Sequence, residues 1–435
     1  MPLRYQEGVG VDGGSDRAGM LYAMFGDGDL VAAMNEALSR NYSVQEAKAR
    51  LDELVVSAVR IRGRRRPRLD VGIDAGQARS YVSQGQDTSA DEYRFWYSFR
   101  WDLDLRGRLA ALEEAQLRYV DAMEANGLEA RRLLCQAFVQ TWFDLASAAE
   151  ERDVLDEEIR FSEHLLEMVK LRALNGEASR LDVLEQERNL EALRSERPEL
   201  METIAAARYQ LAALSGRDSS FASKYEPRGL PDLPGLPRVG EPQELLSMRP
   251  DLDAAFRELE AADWELASAL ANRFPELSLA INYETFSGSA SGLFERQLLD
   301  LVGSVVARVW NGGERKGRVV EGRAVVEQRL YALQGLLLAA LNDVEKALLA
   351  ERMSLERLQH LRRRKALARE SLEEARSRFF NGAESYARVV EALGEWQEVE
   401  RALIREHRRA LGARVELYAA LGAGARKGEK EKVLK

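Results

Sequence analysis

Few residues in this sequence have the types and spacing that catalysis or metal binding requires. The three histidines, His164, His360 and His407, lie far apart, and none has the companion four residues away that a helical metal site uses. The single cysteine, Cys135, lies in the apolar run LLCQAFVQTWF, which favours a buried small side chain over a reactive thiol. No phosphate-binding loop, dinucleotide-binding glycine motif or catalytic triad is found. We therefore expect no enzyme activity, no cofactor and no metal.

The composition favours long helices and excludes several classes of protein. Of the 435 residues, 46% are hydrophobic and 31% are charged, which is enough to bury a core and excludes wholesale disorder. Only ten residues are proline. The net charge of −9 disfavours nucleic acid as a partner. No run reaches 18 consecutive apolar residues and the mean hydropathy is negative, so we expect no conventional transmembrane helix.

The chain repeats itself at an offset of about 207 residues, which is the sequence signature of a duplicated fold. The corresponding residues are Ser43 and Asp251, Pro67 and Pro275, Asn175 and Asn381, Gly176 and Gly382, and Gly216 and Gly422. Between the copies, residues 226–242 contain five prolines and predict an extended connector. We divide the chain into an N-terminal extension (1–29), a first repeat (30–225), the connector, a second repeat (243–422) and a charged tail (423–435).

Each repeat predicts the same order of elements: a helix, a pair of strands, a very long helix, a glycine turn and a shorter return helix. Ser43 and Asp251 are the predicted N-caps of the opening helices. The predicted strands are 68–78, 93–104, 277–286 and 299–310; the long helices are 105–174 and 314–380; the return helices are 177–215 and 383–421. In the second long helix, apolar residues follow coiled-coil spacing at Leu330, Leu333, Leu337, Leu341, Val344 and Leu348.

The second predicted strand alternates aromatic and polar side chains. Its aromatic residues are Tyr93, Phe95, Tyr97, Phe99 and Trp101, and the residues between them are mostly polar. A sheet packed on a helical core is one interpretation, but charges on one face and an aromatic stripe on the other favour a membrane strand. Four strands are too few to close a barrel, and an open edge is costly in lipid. Several chains must therefore contribute, and eight, twelve or sixteen strands all fit the sequence.

These features together resemble the TolC-type outer membrane factors, over residues 30–422. The motifs that carry the resemblance are RPDLDAAFRELEAA followed by FPELSL, the strand-to-helix joint VWNGGERKGRV and the turn NGEASRLDVLEQE. The resemblance implies a mainly α fold with a β-barrel portion. It further implies a trimer with a twelve-stranded barrel in the outer membrane and a twelve-helix coiled-coil tunnel across the periplasm. The number three comes from the resemblance alone.

The resemblance also implies functional residues at the turns. The expected adaptor-contacting tip residues are Leu174, Asn175, Gly176 and Ser179 in the first repeat and Phe380, Asn381, Gly382 and Ser385 in the second. The expected pore constriction consists of Asp182, Glu185, Arg388 and Glu391; around a threefold axis, such residues form rings of like charge. Arg388 departs from the acidic residue common in the family: it either pairs with Asp182 or Glu185, or weakens cation selectivity. An ordinary solvated coiled-coil face is the alternative for each of these charges.

The implied function is a passive exit duct in the outer membrane, serving a tripartite efflux pump or a type I secretion system. The implied partners are two further copies of the chain, outer-membrane lipid, a periplasmic adaptor protein and, indirectly, an inner-membrane RND, ABC or MFS transporter. The alternative is a soluble coiled-coil scaffold or adaptor, since no signal sequence is visible at the N-terminus. No lipidation cysteine is present near the N-terminus, so we do not expect the lipid-anchored branch of the family. The arginine-rich run at 63–68 predicts either contact with anionic lipid or a solvated joint. The sequence does not identify the exported substrate.

Overall fold

The structure is a computed structural model that describes residues 22–80, 88–237, 239–287, 289, 296–307 and 311–423. Its main elements are α1 (Gly28–Arg40), α2 (Tyr42–Gly63), β1 (Arg68–Ser80), β2 (Thr88–Leu103), α3 (Arg108–Leu174), α4 (Arg180–Leu214), α5 (Leu245–Met248), α6 (Pro250–Ala271), β3 (Glu276–Ser287), β4 (Arg296–Val306), α7 (Glu314–Phe380) and α8 (Tyr386–Ala420). Residues 1–21 of the predicted extension and 424–435 of the predicted tail lie outside the described residues.

The chain forms two compact units, and each is assembled from both sequence repeats. The first comprises residues 1–47, 126–252 and 336–435, and the second comprises residues 48–125 and 253–335. The duplication is therefore interleaved in space, because each unit takes corresponding segments from the two copies. Each copy contains the predicted series of helix, strand pair, long helix and return helix, and a helix that the sequence did not predict precedes it, α1 in the first copy and the short α5 in the second.

The second unit contains one antiparallel sheet with strand order β1-β2-β3-β4. Its two hairpins pair through β2 and β3, so that Tyr97 lies opposite both Val71 of β1 and Tyr283 of β3. The structure extends β2 five residues toward its N-terminus and begins β4 three residues earlier than predicted. Of the predicted end of β4, residues 308–310 lie outside the described residues.

The predicted N-caps are wrong by two residues in both repeats. α2 begins at Tyr42, and Oδ1 of Asn41 accepts hydrogen bonds from the backbone N–H groups of Ser43 (2.9 Å) and Val44 (3.2 Å). Asn41 is thus the cap, and Ser43 lies inside the first turn. α6 begins at Pro250, whose fixed φ suits the first helical position. Asp251 is therefore inside the helix as well.

The core of the first unit joins α1 to the middle of α3 and to the ends of α4 and α8. Its largest buried members include Leu30, Met34, Phe138, Phe143 and Leu211. Cys135 is buried in the same cluster, as the sequence predicts, and burial raises the pKa of its thiol to about 11. The thiol is therefore unreactive at neutral pH.

α7 has the seam of a coiled coil in the first unit. Leu341, Val344 and Leu348 are buried, as their spacing predicts, whereas Leu330 in the second unit is exposed. Seven-residue spacing continues along the buried face. One series of buried residues is Val344, Glu351, Leu358 and Leu372, and the other is Ala340, Ala347, Ser354, Ala368 and Ala375.

The expectation that no helix is apolar enough to cross a membrane is wrong for α7, judged by length and composition. An 18-residue window within Glu314–Phe379 has a mean hydropathy of 1.2 and is 11% buried. One such window is weak evidence for a membrane-spanning helix, since the core helix of a soluble protein or a signal sequence can be equally long and apolar.

The two return helices end in the same way, at glycines with positive φ. Gly216 has φ +63°, and a Cβ there would lie 2.7 Å from the carbonyl oxygen of Arg40. Gly422 has φ +81°, and a Cβ there would overlap the carbonyl oxygen of Met248. Only glycine permits both the left-handed conformation and this close approach.

A side chain from the opposite segment completes each of these joints. Asn41 Nδ2 donates to the carbonyl oxygen of Leu214 at 2.8 Å. In the second copy, Arg249 Nη1 donates to the carbonyl oxygen of Ala420 at 3.3 Å. Asn41 and Arg249 are 208 residues apart, and Leu214 and Ala420 are 206 apart, so the duplicated segments build one joint twice.

Candidate functional site

The sheet of the second unit has one continuous apolar face. Directly opposite residues of an antiparallel pair share a face, so the register defines its rows. One row is Leu69, Phe99, Ile281 and Leu301; the next is Val71, Tyr97, Tyr283 and Leu299. The aliphatic members on β1 and β4 are between 61% and 72% exposed. An exposed apolar patch of this size indicates contact with lipid or with another protein.

The predicted lipid-facing aromatic residues of β2 lie on this face. Tyr93, Phe95, Tyr97 and Phe99 are half-buried, and Trp101 is 37% exposed. The Tyr97 ring stacks on that of Tyr283 with 4.9 Å between ring centroids. The aromatic side chains are thus partly covered by their neighbours within the sheet. β1 also contributes to this face, which was not predicted although its alternating Leu69, Val71 and Ile73 indicate it.

The opposite face of the sheet is polar and hydrogen-bonded. Arg94 Nη2 lies 2.6 Å from Asp74 Oδ2, and Trp96 Nε1 donates to the same oxygen at 2.9 Å. Ser98 Oγ donates to Asn282 Oδ1 at 2.7 Å. A polar face behind an apolar one is the pattern of a membrane strand whose inner side contacts water.

The two outer edges of the sheet require partners. Among the described residues of one chain, β1 pairs only with β2 and β4 pairs only with β3. In hydrocarbon, the unpaired N–H and C=O groups along these edges cost several kcal/mol each. The sheet is therefore complete only when another chain pairs with each edge.

A second candidate site lies in the first unit, where each long helix turns back. The N–H of Glu177 donates to the carbonyl oxygen of Arg172 at 2.9 Å, and that of Ala383 donates to Arg378 at 2.9 Å. Gly176 has φ +78° and Gly382 has φ +74°. Both turns are thus the same left-handed helix stop, as the Asn-Gly pairs predict.

The predicted tip residues are brought together at these turns, on the surface. Leu174 is 84% exposed, although it is apolar. Asn175, Gly176 and Ser179 are exposed in the first turn, as are Asn381, Gly382 and Ser385 in the second. The backbone of Phe380 ends α7 beside them. The turns therefore present a small surface on which a partner can bind.

The predicted constriction residues do not all have the same surroundings. The carboxylate of Asp182 accepts a hydrogen bond from the N–H of Ser179 at 2.8 Å, while Ser179 Oγ accepts from the N–H of Asp182 at 3.1 Å. This reciprocal pair is a capping box, so Asp182 also stabilises the start of α4. Glu185 is half-buried on the same helix.

Arg388 pairs within its own helix in the single chain. Its Nη1 lies 2.6 Å from Oε2 of Glu391, and both side chains are more than half exposed. The predicted alternative of a pair with Asp182 or Glu185 does not occur within the chain. The local charge of this pair is close to neutral, in contrast to the two carboxylates of the first repeat.

A buried polar network that the sequence analysis missed joins the two turns. Tyr386 donates its hydroxyl hydrogen to Gln186 Oε1 at 2.6 Å, and Gln186 Nε2 donates to Ser162 Oγ at 2.7 Å and to the Ser162 carbonyl. Burial raises the pKa of the Tyr386 hydroxyl, and the negative charges of Asp182 and Glu185 raise it further. The network links α3, α4 and α8, so it couples the two predicted constriction segments.

The described residues contain no group of three or more His, Cys, Asp or Glu side chains that could hold a metal ion. The two sites are therefore a membrane-type sheet face and a pair of turns with charged flanks. This combination is typical of a membrane channel.

The comparisons with known proteins identify the family. The family model "Outer membrane efflux protein" matches residues 33–217 and 242–423, so the chain belongs to that family. The chain is 25% identical to the pyoverdine export outer membrane protein OpmQ of Pseudomonas putida, over 92% of this chain and 87% of the relative. It is 24% identical to the cation efflux system protein CusC of Escherichia coli K12, over 92% and 88%. The solved structure of the outer-membrane channel OprN superposes with a TM-score of 0.88 at 23% identity, covering 94% of each chain.

The chain is thus an outer-membrane exit duct, with the fold of the outer-membrane efflux channels. The resemblance to TolC-type outer membrane factors and the predicted location in the outer membrane with a periplasmic tunnel are confirmed. The relatives are channel and efflux proteins rather than enzymes. This speaks against the alternative of a soluble scaffold.

Proposed function

We propose that three copies of the chain join edge to edge into a twelve-stranded barrel, and that this trimer is the passive duct of a tripartite efflux or secretion system. The observation that carries the proposal is the open four-stranded sheet with an exposed apolar face and two unpaired edges. Pairing β1 of one copy with β4 of the next satisfies both edges without another element. The apolar face, including the aromatic residues of β2, then faces lipid.

The turns of the two long helices serve as the contact surface for a periplasmic adaptor. The exposed side chain of Leu174 supplies an apolar contact surface, because it is not a member of the neighbouring cluster of buried apolar side chains. The flanking carboxylates of Asp182 and Glu185 form rings around the axis and restrict the resting pore. Arg388 and Glu391 form the corresponding ring in the second repeat, where the internal ion pair reduces its net charge. Adaptor binding displaces the turns and widens the pore.

The proposed duct is compatible with more than one inner-membrane transporter and more than one substrate. The names of two relatives specify pyoverdine export in one case and cation efflux in the other. Because these substrates differ in chemistry while the two relatives match this chain equally well, we infer that the transporter selects the substrate and the duct passes it. An RND, ABC or MFS transporter each fits this division of labour.

Conductance in a lipid bilayer tests the proposed duct. The full-length protein, purified in detergent and added to a planar bilayer, is expected to give discrete ion-conducting events and to fractionate with the outer membrane. A protein that is recovered without detergent and gives no conductance would contradict the proposal.

The proposed constriction has a separate test. The double variant Asp182→Asn/Glu185→Gln removes two charges per copy while preserving side-chain shape and an acceptor for the capping box. Resting conductance should rise and cation selectivity, measured as the reversal potential in a KCl gradient, should fall. The matched control is Glu187→Gln, whose carboxylate pairs with Lys170 on α3 at 2.8 Å. Equal reversal potentials in the wild type and the double variant would remove these residues from the constriction.

A further inference from the structure

The arginine-rich segment before β1, taken here as residues 62–66, is held in a fixed position by two of its own arginines. Arg62 Nε donates to Glu113 Oε1 and Arg65 Nη1 donates to Glu113 Oε2, each at 2.7 Å. The Glu113 side chain is only 10% exposed. Burial alone would raise the pKa of Glu113, but the hydrogen bonds from Arg65 and Arg62 hold it below its ordinary value. The segment is therefore fixed on α3 rather than free.

The same segment lies at the end of the apolar face of the sheet. Trp101 Nε1 donates to the carbonyl oxygen of Arg65 at 3.0 Å. Trp101 is the last aromatic residue of the β2 stripe and shares a face with Phe99 and Tyr97. An indole with an apolar ring and a hydrogen-bonded N–H is typical of the boundary between hydrocarbon and headgroups. The contact therefore places the segment at that boundary.

The remaining arginines of this segment have no counter-charge. Arg64 and Arg66 are exposed, and neither side chain forms a hydrogen bond or an ion pair within the described residues. Their neighbours Arg62 and Arg65 have already neutralised Glu113. The two free guanidinium groups thus face solvent or membrane with their charge uncompensated.

The second repeat supplies the corresponding segment before β3. Arg273 aligns with Arg65 at an offset of 208 and has no side-chain partner in the described part of the chain. Phe274 follows it and is 45% exposed. The guanidinium carbon of Arg106 lies 4.5 Å from the centre of the Phe274 ring. Each chain thus has two basic segments at the same end of the sheet, one before β1 and one before β3. The segment before β3 also carries an exposed aromatic ring.

We propose that these segments, defined by Arg64, Arg66, Arg106, Arg273 and Phe274 and here called the basic collar, bind the phosphate headgroups of anionic phospholipids. The guanidinium fork matches a phosphate in shape and charge, and the Phe274 ring enters the acyl boundary beside it. Anionic lipid is the occupant because the basic collar continues the lipid-facing surface of the sheet and has an excess of positive charge on a chain whose net charge is −9. The inference rests on the proposed lipid-facing role of the sheet.

Native mass spectrometry of the full-length protein in detergent tests the proposal. Dioleoylphosphatidylglycerol and dioleoylphosphatidylcholine are added in equal amounts, and the ratio of the two bound lipids is measured. The wild type should retain at least fivefold more phosphatidylglycerol. The triple variant Arg64→Gln/Arg66→Gln/Arg273→Gln should reduce this preference to less than twofold. Because these side chains are exposed and unpaired, the variant should keep its fold.

The control removes the same number of exposed arginines from α7 in the first unit, as Arg364→Gln/Arg369→Gln/Arg378→Gln, and should keep the wild-type preference. Each of these arginines is ion-paired with a glutamate in the wild type. An unchanged preference in the collar variant, or an equal loss in the control, would overturn the proposal. So would a wild type that binds both lipids equally. Bilayer conductance separates this failure from failure of the proposed duct, since the collar variant should conduct like the wild type whether or not it selects headgroups.

Discussion

At the scale of single residues, Glu158 on α3 is a buried ionisable group of the first unit. The residue is 3% exposed, and neither of its carboxylate oxygens accepts a hydrogen bond within the described residues. The nearest cationic atom is Arg401 Nε, 3.7 Å from Oε1, and Arg401 already donates to Glu196. Burial raises the pKa of Glu158 to about 7, and the charge of Arg401 only partly opposes this. Below about pH 7, the folded protein therefore favours the protonated form of Glu158.

This shift gives stability a definite pH dependence. In the unfolded chain, Glu158 releases its proton near its ordinary pKa of about 4.5, so the folded state binds the extra proton between pH 4.5 and 7. Its contribution is fully present below pH 4.5 and is lost as the pH rises through 7, by up to about 3 kcal/mol. Glu158→Gln should raise the thermal unfolding midpoint relative to the wild type at pH 8 but leave it nearly unchanged at pH 5.

Circular dichroism in detergent at four pH values between 5 and 8 measures this effect. The control is Glu163→Gln, which removes an exposed carboxylate of α3 that pairs with Arg194. A Glu158→Gln shift of the same size at pH 5 and pH 8 would show that the carboxyl group titrates normally in the folded protein.

The sequence predicts residues whose role depends on the local backbone conformation. It does not predict residues whose role depends on contacts between segments that are distant in sequence. Gly176 and Gly382 follow from the turn chemistry of Asn-Gly after a helix. The hydrogen bond between Tyr386 and Gln186 joins residues 200 apart in sequence. No periodic pattern specifies such a pair, because it depends on how α8 packs against α4.

At the scale of elements, the two turns give a prediction with an internal control. Gly382 has φ +74° and a Cβ there would contact nothing within 4 Å, so Gly382→Ala should cost only backbone strain, about 1 kcal/mol. Gly394 lies in the interior of α8, also without neighbours within 4 Å, so Gly394→Ala should stabilise by up to about 1 kcal/mol. The apparent free energy of unfolding, measured by guanidinium titration, should therefore change in opposite directions. Equal changes would mean that the turn does not require the left-handed conformation.

Periodicity explains which elements the sequence predicted. The alternation of β2 and the seven-residue spacing of α7 are repeated signals, and both elements are present. α7 has its predicted bounds, whereas β2 begins five residues earlier than predicted. Single-residue boundary signals were less reliable. Ser43 and Asp251 are both acceptable cap residues, but Asn41 and Pro250 compete for the helix start and decide it.

At the scale of the whole molecule, the duplication predicted which segments correspond but not how they assemble. An exposed apolar face and two open edges require neighbours, yet the spacing of residues fits two, three or four copies equally well. The number of copies depends on the angle at which β1 of one chain meets β4 of the next, and that angle is a property of the closed ring. Family membership supplies the expectation of three.

Covalent cross-linking counts the copies directly. In the proposed trimer, β1 and β4 of adjacent copies form a heterologous contact that closes after three steps. The double variant Val71→Cys/Leu299→Cys, treated with a flexible bismaleimide long enough to span the stagger between strands of a tilted barrel, should give bands of two and three chains and none larger. The native thiol of Cys135 is buried and should not react. Each single variant should remain at the mass of one chain, because β1 does not pair with β1 of another copy and β4 does not pair with β4 of another copy. A ladder that continues beyond three chains would exclude the closed trimer, and dimers from a single variant would exclude the heterologous pairing that generates it.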